Sequence, residues 1–140
     1  MLVLDSNTIS YYFRGDAQVV PRLQALRPRD VGVPAIVEYE LRYGLARLPP
    51  AQAAPRMAAL AQLLQPMQCL AFDADCARHA AQLRAALEEL GTPIGPHDVL
   101  IAATALRYQA TLVTRNVREF ARVPGLQWVD WHAGGVPAKD

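Results

Sequence analysis

Apolar residues in this chain fall into two kinds of run. The first kind is short: 2–4, 31–33, 69–72, 111–113 and 126–129. Each is too short for a helix and is bounded by polar, Gly or Pro residues, so each predicts a brief strand buried on both faces. The second kind spreads apolar residues at spacings of three and four. Ile36, Val37, Leu41, Leu45 and Leu48 show it most clearly and predict a helix over 35–48.

Helix punctuation fills in the rest. Ser6, Asn7 and Thr8 suit the start of a helix over 6–13 that Gly15 and Asp16 break. A second helix is predicted over 19–26, ended by Pro28. Pro49-Pro50 stops the helix over 35–48, and another follows over 51–64. Asp73 caps a long alanine-rich helix that ends near Leu90-Gly91. A Gly/Pro loop at 92–96 precedes a helix over 97–108, and 116–120 reads as a short helical turn. Strands alternating with helices imply an α/β fold in which helices cover both faces of a parallel sheet. No internal repeat or second domain interrupts the pattern. One domain over 1–132 with a frayed tail at 133–140 is expected.

Composition narrows the class without fixing it. A chain of 140 residues, 52% hydrophobic, can bury one stable core. No uninterrupted apolar stretch reaches the length of a membrane span. The N-terminus carries Asp5 and no basic segment, so no signal peptide is expected and a cytoplasmic location is the default. Cys69 and Cys76 lack C-x-x-C spacing and read as two buried free thiols. His79, His97 and His132 form no zinc pattern. The net charge of +1 does not advertise nucleic-acid binding, so any such site must be a local patch. The cations are almost all arginine, with Lys139 the only lysine, and arginine grips phosphate as a bidentate fork.

Three carboxylates carry the candidate chemistry. Asp5 ends the first strand, at the sheet edge where open parallel sheets bind ligands, although an acid there also serves as a helix cap. Glu40 falls on the margin of the apolar stripe of the helix over 35–48, facing the protein body. Glu38 points nearer the far margin. Asp98 begins a helix whose inward face is Ile101, Ala102 and Ala105, small residues that permit close approach to the sheet. Its bland alternative is stabilisation of the helix start. Clustered carboxylates repel one another unless a cation neutralises them, and hard oxygen donors without Cys or His suit Mg²⁺ or Mn²⁺. Such a cation polarises a phosphodiester and activates water.

The segments MLVLDSNTIS, VEYELRYGLARL, GTPIGPHDVLIAATAL and LVTRNVREFARVPGLQWVDW, in this order along the chain, resemble the PIN-domain endoribonucleases, and among them the VapC toxins of toxin–antitoxin pairs. The resemblance implies a three-layer α/β/α fold with a central, mainly parallel sheet, and Mg²⁺-dependent cleavage of RNA, with tRNA as a plausible target. It makes Asp5, Glu40 and Asp98 the catalytic acids, with Asp5 and Asp98 as metal ligands. Where some PIN domains carry a further Asp, this chain has Asn116, which supplies no charge but can hydrogen-bond a water at the site. Asn7, Thr114 and Asn116 are expected to support the acids. Arg115 and Arg118, with Arg122 beyond them, are expected to meet the RNA backbone.

The same resemblance implies a homodimer, its contacts on the first two helices and the helix over 35–48. It also implies an antitoxin whose basic residue reaches Asp5, Glu40 and Asp98. The alternative is a regulatory module that grips DNA together with the antitoxin, nuclease activity being secondary. A further alternative is an aspartyl-phosphate phosphatase, disfavoured because Asp5-Ser6-Asn7 lacks the D-x-D arrangement of that chemistry.

Overall fold

In the computed structural model, which describes residues 1–133, five parallel strands form one sheet. The strands are β1 (Leu2–Leu4), β2 (Val31–Pro34), β3 (Gln68–Leu70), β4 (Thr111–Val113) and β5 (Gln127–Val129). The sheet order is β3-β2-β1-β4-β5. Helices α1 (Ser6–Phe13), α2 (Val20–Gln24), α3 (Ala35–Ala46), α4 (Pro50–Leu64), α5 (Ala74–Glu89), α6 (Pro96–Arg107) and α7 (Val117–Phe120) flank it. The expected α/β fold with a central parallel sheet is therefore the observed one.

The order sets where chemistry can occur. The chain builds outward from β1 through β2 to β3, then crosses back to lay β4 on the other side of β1. The two directions diverge between β1 and β4, and their carboxyl ends leave a crevice there, the general ligand position in open α/β sheets. Asp5 and Thr114 directly follow these two strands. The Asp5 N–H donates to the Val113 carbonyl at 3.3 Å, which holds the two strand ends together.

Burial follows position in the sheet. Every residue of β2 is buried, as are Val3, Leu4, Leu112 and Val113 of the central pair. Gly32 is needed for space, because a Cβ there would stand 2.8 Å from Leu70 Cδ1 and 3.0 Å from Met1 Sδ. On α6 the five residues Ile101, Ala102, Ala103, Thr104 and Ala105 are all buried. The side chains predicted to face the sheet are all buried, and α6 packs against β2, β4 and α5.

The structure corrects several details of the pattern. Cys76 is buried but Cys69 is exposed, since β3 is an edge strand and strand order is invisible to local periodicity. β3 covers Gln68–Leu70 rather than 69–72. Helices α4 and α6 begin on Pro50 and Pro96, not after them, because a proline in the first turn gives up an N–H that has no helical partner anyway. α2 is shorter than predicted, and Pro28–Asp30 forms a separate 3-10 turn. The expected frayed tail lies, apart from Ala133, outside the described residues. No helix among the described residues is long and apolar enough to cross a membrane.

Candidate active site

The crevice between β1 and β4 gathers carboxylates from separate elements. Asp5 is 5% exposed and caps α1: its Oδ1 accepts from the Thr8 N–H at 2.8 Å and from the Thr8 hydroxyl at 2.7 Å. The cap engages one oxygen of Asp5 and leaves Oδ2 for other partners. Burial pushes the Asp5 carboxyl up from its ordinary value, and hydrogen bonds from Thr8 and Thr114 oppose that rise.

Asp98 stands in the first turn of α6 and is half-buried. Burial is the largest reason its carboxyl is pushed up to about 7, and the charges of Glu119, Glu40 and Asp5 push the same way. All three predicted acids therefore share one electrostatic neighbourhood, with a fourth beside them. Glu119 Oε1 accepts from the Gly95 N–H at 2.7 Å, and Oε2 accepts from Asn116 Nδ2 at 2.9 Å. These two donors hold the Glu119 carboxylate below its usual range, Asn116 contributing most. Burial and repulsion thus raise Asp98 while hydrogen bonds lower Glu119, and the two carboxyls titrate as a pair. Gly95 permits this meeting, because a Cβ there would come within 3.1 Å of Asp98 Oδ2 and 3.7 Å of Glu119 Oε1.

Glu40 reaches the site from α3. Its Oε2 lies 3.1 Å from His97 Nδ1, while its Oε1 is buried with no hydrogen-bond partner. A solvent-excluded carboxylate oxygen without a donor is unfavourable unless a ligand or cation completes it. Together with two carboxyls raised by burial and mutual repulsion, this oxygen makes the site fit a hard divalent cation. Asp5, Asp98, Glu40 and Glu119 are the residues able to hold one. Among the described residues no three such groups already converge closely enough to chelate an ion, so bound water would complete the shell of a cation held here.

The supporting residues sort by what they touch. Thr114 is buried, helps hold Asp5, and accepts the Asn116 N–H at 2.9 Å. The Asn116 side chain orients Glu119. Asn7 is exposed and lines a groove together with Glu40. Arg115 and Arg118 are exposed, and Arg115 lies over the Tyr11 ring at 5.9 Å from its centroid. Arg122 donates to the Pro93 carbonyl at 2.7 Å and so fastens the loop before α6. Sequence reasoning missed Glu119, Thr8 and His97.

The sequence model of the PIN domain matches residues 2–126. The chain belongs to the PIN-domain family. Its relatives within that family include VapC ribonucleases. A tRNA(fMet)-specific endonuclease VapC of Salmonella typhimurium is 32% identical over 130 residues, which are 92% of this chain and 96% of that protein. Among solved structures, DNA-bound VapBC from Salmonella typhimurium matches with a TM-score of 0.84 at 30% identity, covering 93% of this chain and 97% of that one. FitAcB from Neisseria gonorrhoeae matches with a TM-score of 0.85 at 32% identity, covering 94% and 99%.

Proposed function

We propose that this chain is the toxin of a toxin–antitoxin pair, a Mg²⁺-dependent endoribonuclease that hydrolyses RNA phosphodiester bonds in the cytoplasm, with tRNA among its candidate substrates. One observation carries the reading: carboxylates from the end of β1 and from α3, α6 and α7 share a crevice in which Asp98 is driven to about 7 and Glu40 Oε1 has no partner. Asp5 and Asp98 are proposed as the ligands of Mg²⁺, for which Mn²⁺ can substitute, with Glu40 and Glu119 beside them. When bound, the cation supplies Lewis-acid polarisation of the phosphate and lowers the pKa of water.

The protein's own part is positional. Thr8 and Thr114 fix the Asp5 carboxylate. Gly95 and Asn116 fix Glu119. Glu40, held at one oxygen by His97, offers the other to a water or to the cation. Arg115 and Arg118 are proposed to meet flanking phosphates, the guanidinium being suited to that geometry.

A melting series tests the metal site. Mg²⁺ binds the folded state alone, so saturation at about 100 times the dissociation constant stabilises by about 2.7 kcal/mol. The melting temperature of the unsubstituted chain is expected to climb with Mg²⁺, and that of Asp5→Asn to stay nearly flat. Equal shifts in both proteins would place the cation elsewhere.

An antitoxin partner belongs to the same proposal. A groove of about 700 Å³ runs between α1, α3 and α4. Leu41, Leu45, Leu48 and Leu60 give it apolar walls, and Asn7 and Glu40 also line it. A short segment of the antitoxin that folds on binding would seat apolar side chains in this groove and point a basic residue at Asp5, Glu40 and Asp98. Co-purified with the protein encoded beside it, the chain is expected to lose RNA cleavage and to gain hydrogen-exchange protection along α1, α3 and α4. Excess Mg²⁺ should restore cleavage only in part, since the apolar contacts remain. Inhibition with this groove still unprotected would refute the arrangement. A homodimer is proposed as well, with contacts on α1, α2 and α3, where Phe13 is 46% exposed.

A further inference from the structure

The outward face of α3 carries two tyrosines that the chain leaves uncovered. Tyr39 is 54% exposed and Tyr43 is 56% exposed, one helical turn apart. Their rings are nearly parallel, with an interplanar angle of 20° and centroids 6.3 Å apart. At the near end the His97 ring meets Tyr39 edge-on, at 5.8 Å and 81°. The same His97 ring reaches Glu40 in the acidic crevice at 3.1 Å. At the far end the Arg47 guanidinium lies 5.7 Å from the Tyr43 centroid. An aromatic ladder therefore starts at the carboxylates and ends at a cation.

We propose that this ladder is a stacking platform for unpaired bases of the RNA, holding the nucleotides next to the scissile phosphate; the inference rests on the endoribonuclease reading above. Electrostatics argues for such a device. The chain has a net charge of only +1, and its site is a cluster of carboxylates that repels phosphate until a cation is bound. Long-range attraction therefore supplies little affinity. Stacking on an aromatic ring contributes about 1–3 kcal/mol per base, needs no charge, and tolerates any base.

The surroundings favour RNA over a protein partner. The exposed residues of α3 beside the pair include no large aliphatic side chain: they are Gly44 and Ala46, with Arg47 capping the helix end, while Glu38 pairs with Arg42 at 2.7 Å along its margin. A helix-to-helix interface would want aliphatic neighbours there, whereas a base with its phosphate wants an aromatic face and an adjacent guanidinium. Recognition through a flat stack also selects unpaired over duplex RNA, because paired bases do not offer their faces.

The test uses the full chain carrying Asp98→Asn, so that RNA is bound without being cut. The probe is a single-stranded RNA hexamer containing 2-aminopurine, with the matching duplex as control. Tyr39→Leu and Tyr43→Leu keep apolar bulk and remove the aromatic face, whereas Tyr39→Phe and Tyr43→Phe keep it. Each Leu substitution is expected to weaken single-strand binding by about 5-fold or more and to relieve the fluorescence quenching that stacking causes. Each Phe substitution is expected to retain both, and the duplex is expected to bind weakly to all. In chains with Asp98 intact, the loss from the Leu substitutions should fall on KM more than on kcat.

Unchanged binding by the Leu variants, or failure of Phe to preserve it, overturns the platform. So does sedimentation showing that the Leu variants only dissociate a dimer, which would make this face a contact between copies. If the unsubstituted chain cuts RNA while the Leu variants behave identically, only the platform falls. If no RNA is cut by any form, the nuclease reading falls by itself, and the binding arm still decides the platform.

Discussion

Replacing Asp98 by Asn is expected to abolish most RNA cleavage while leaving the fold intact. The two side chains are nearly isosteric, and Asp98 is half-buried at the start of α6 rather than packed in the core. Groups one step removed from a bound metal already change activity by about 10–100-fold. A charged ligand should therefore matter more, and a loss of at least about 10²-fold is expected.

Stability gives an independent readout of the same change. In metal-free protein the Asp98 pKa is raised from 3.8 to about 7, so the folded state binds a proton that the unfolded chain releases. Its contribution is fully present below about pH 4, is lost as pH rises towards 7, and is constant above that. Metal-free Asp98→Asn lacks this loss, so it should melt higher than the unsubstituted chain at pH 8, and the gap should close towards pH 4. Melting curves recorded in EDTA across that range check it. A variant that melts lower at pH 8 would show that Asp98 makes a stabilising contact rather than bearing repulsion.

Glu119→Gln carries the second large effect. The glutamine keeps the length of the side chain, but it removes a charge and sets an amide NH₂ against either the Gly95 N–H or the Asn116 amide, both of which are donors. Orientation and charge are lost together, and cleavage is expected to fall by about 10–100-fold. The substitution also removes the anion that contributes, after burial, most to the rise of Asp98. The Asp98 pKa should therefore move down from about 7, which carbon NMR of the side-chain carboxyl would follow in metal-free protein. Undiminished cleavage with an unmoved Asp98 titration would exclude Glu119 from the site.

What the sequence made legible, and what it did not, follows from the range of each interaction. The short strands and the alternating helices are local events, so apolar runs and capping residues located them. Asp5 and Asp98 stood out because each begins a helix beside a strand end or a buried face. Glu40 stood out because it lies on the margin of an apolar stripe. Glu119 does not stand out, because it sits in a short helical turn with no predicted strand end or apolar stripe to single it out. Its role depends on Gly95, 24 residues away, and on the pairing of β4 with β1. A signal was available: Asn116 precedes Glu119 by three residues, the spacing that lets the amide reach the carboxylate on one helical face. His97 shows no zinc pattern in the sequence, and its contact with Glu40 spans 57 positions. Cys69 was expected to be buried for want of the strand order. The sequence offers Ser6, Asn7, Thr8 and Asp5 as caps of the first helix; Asp5 is the one that caps, and Thr8 donates to it.

The central claim is that a divalent cation held by these carboxylates enables the chain to cut RNA. The direct measurement is cleavage of a defined single-stranded RNA by the purified full chain, stripped with EDTA and then supplied with Mg²⁺, with the new RNA ends sequenced. The predicted result is intact RNA in EDTA, discrete internal cuts after Mg²⁺ is restored, and intact RNA with Asp98→Asn purified in the same way. Cuts of equal yield in EDTA, or by the Asp98→Asn protein, would contradict it.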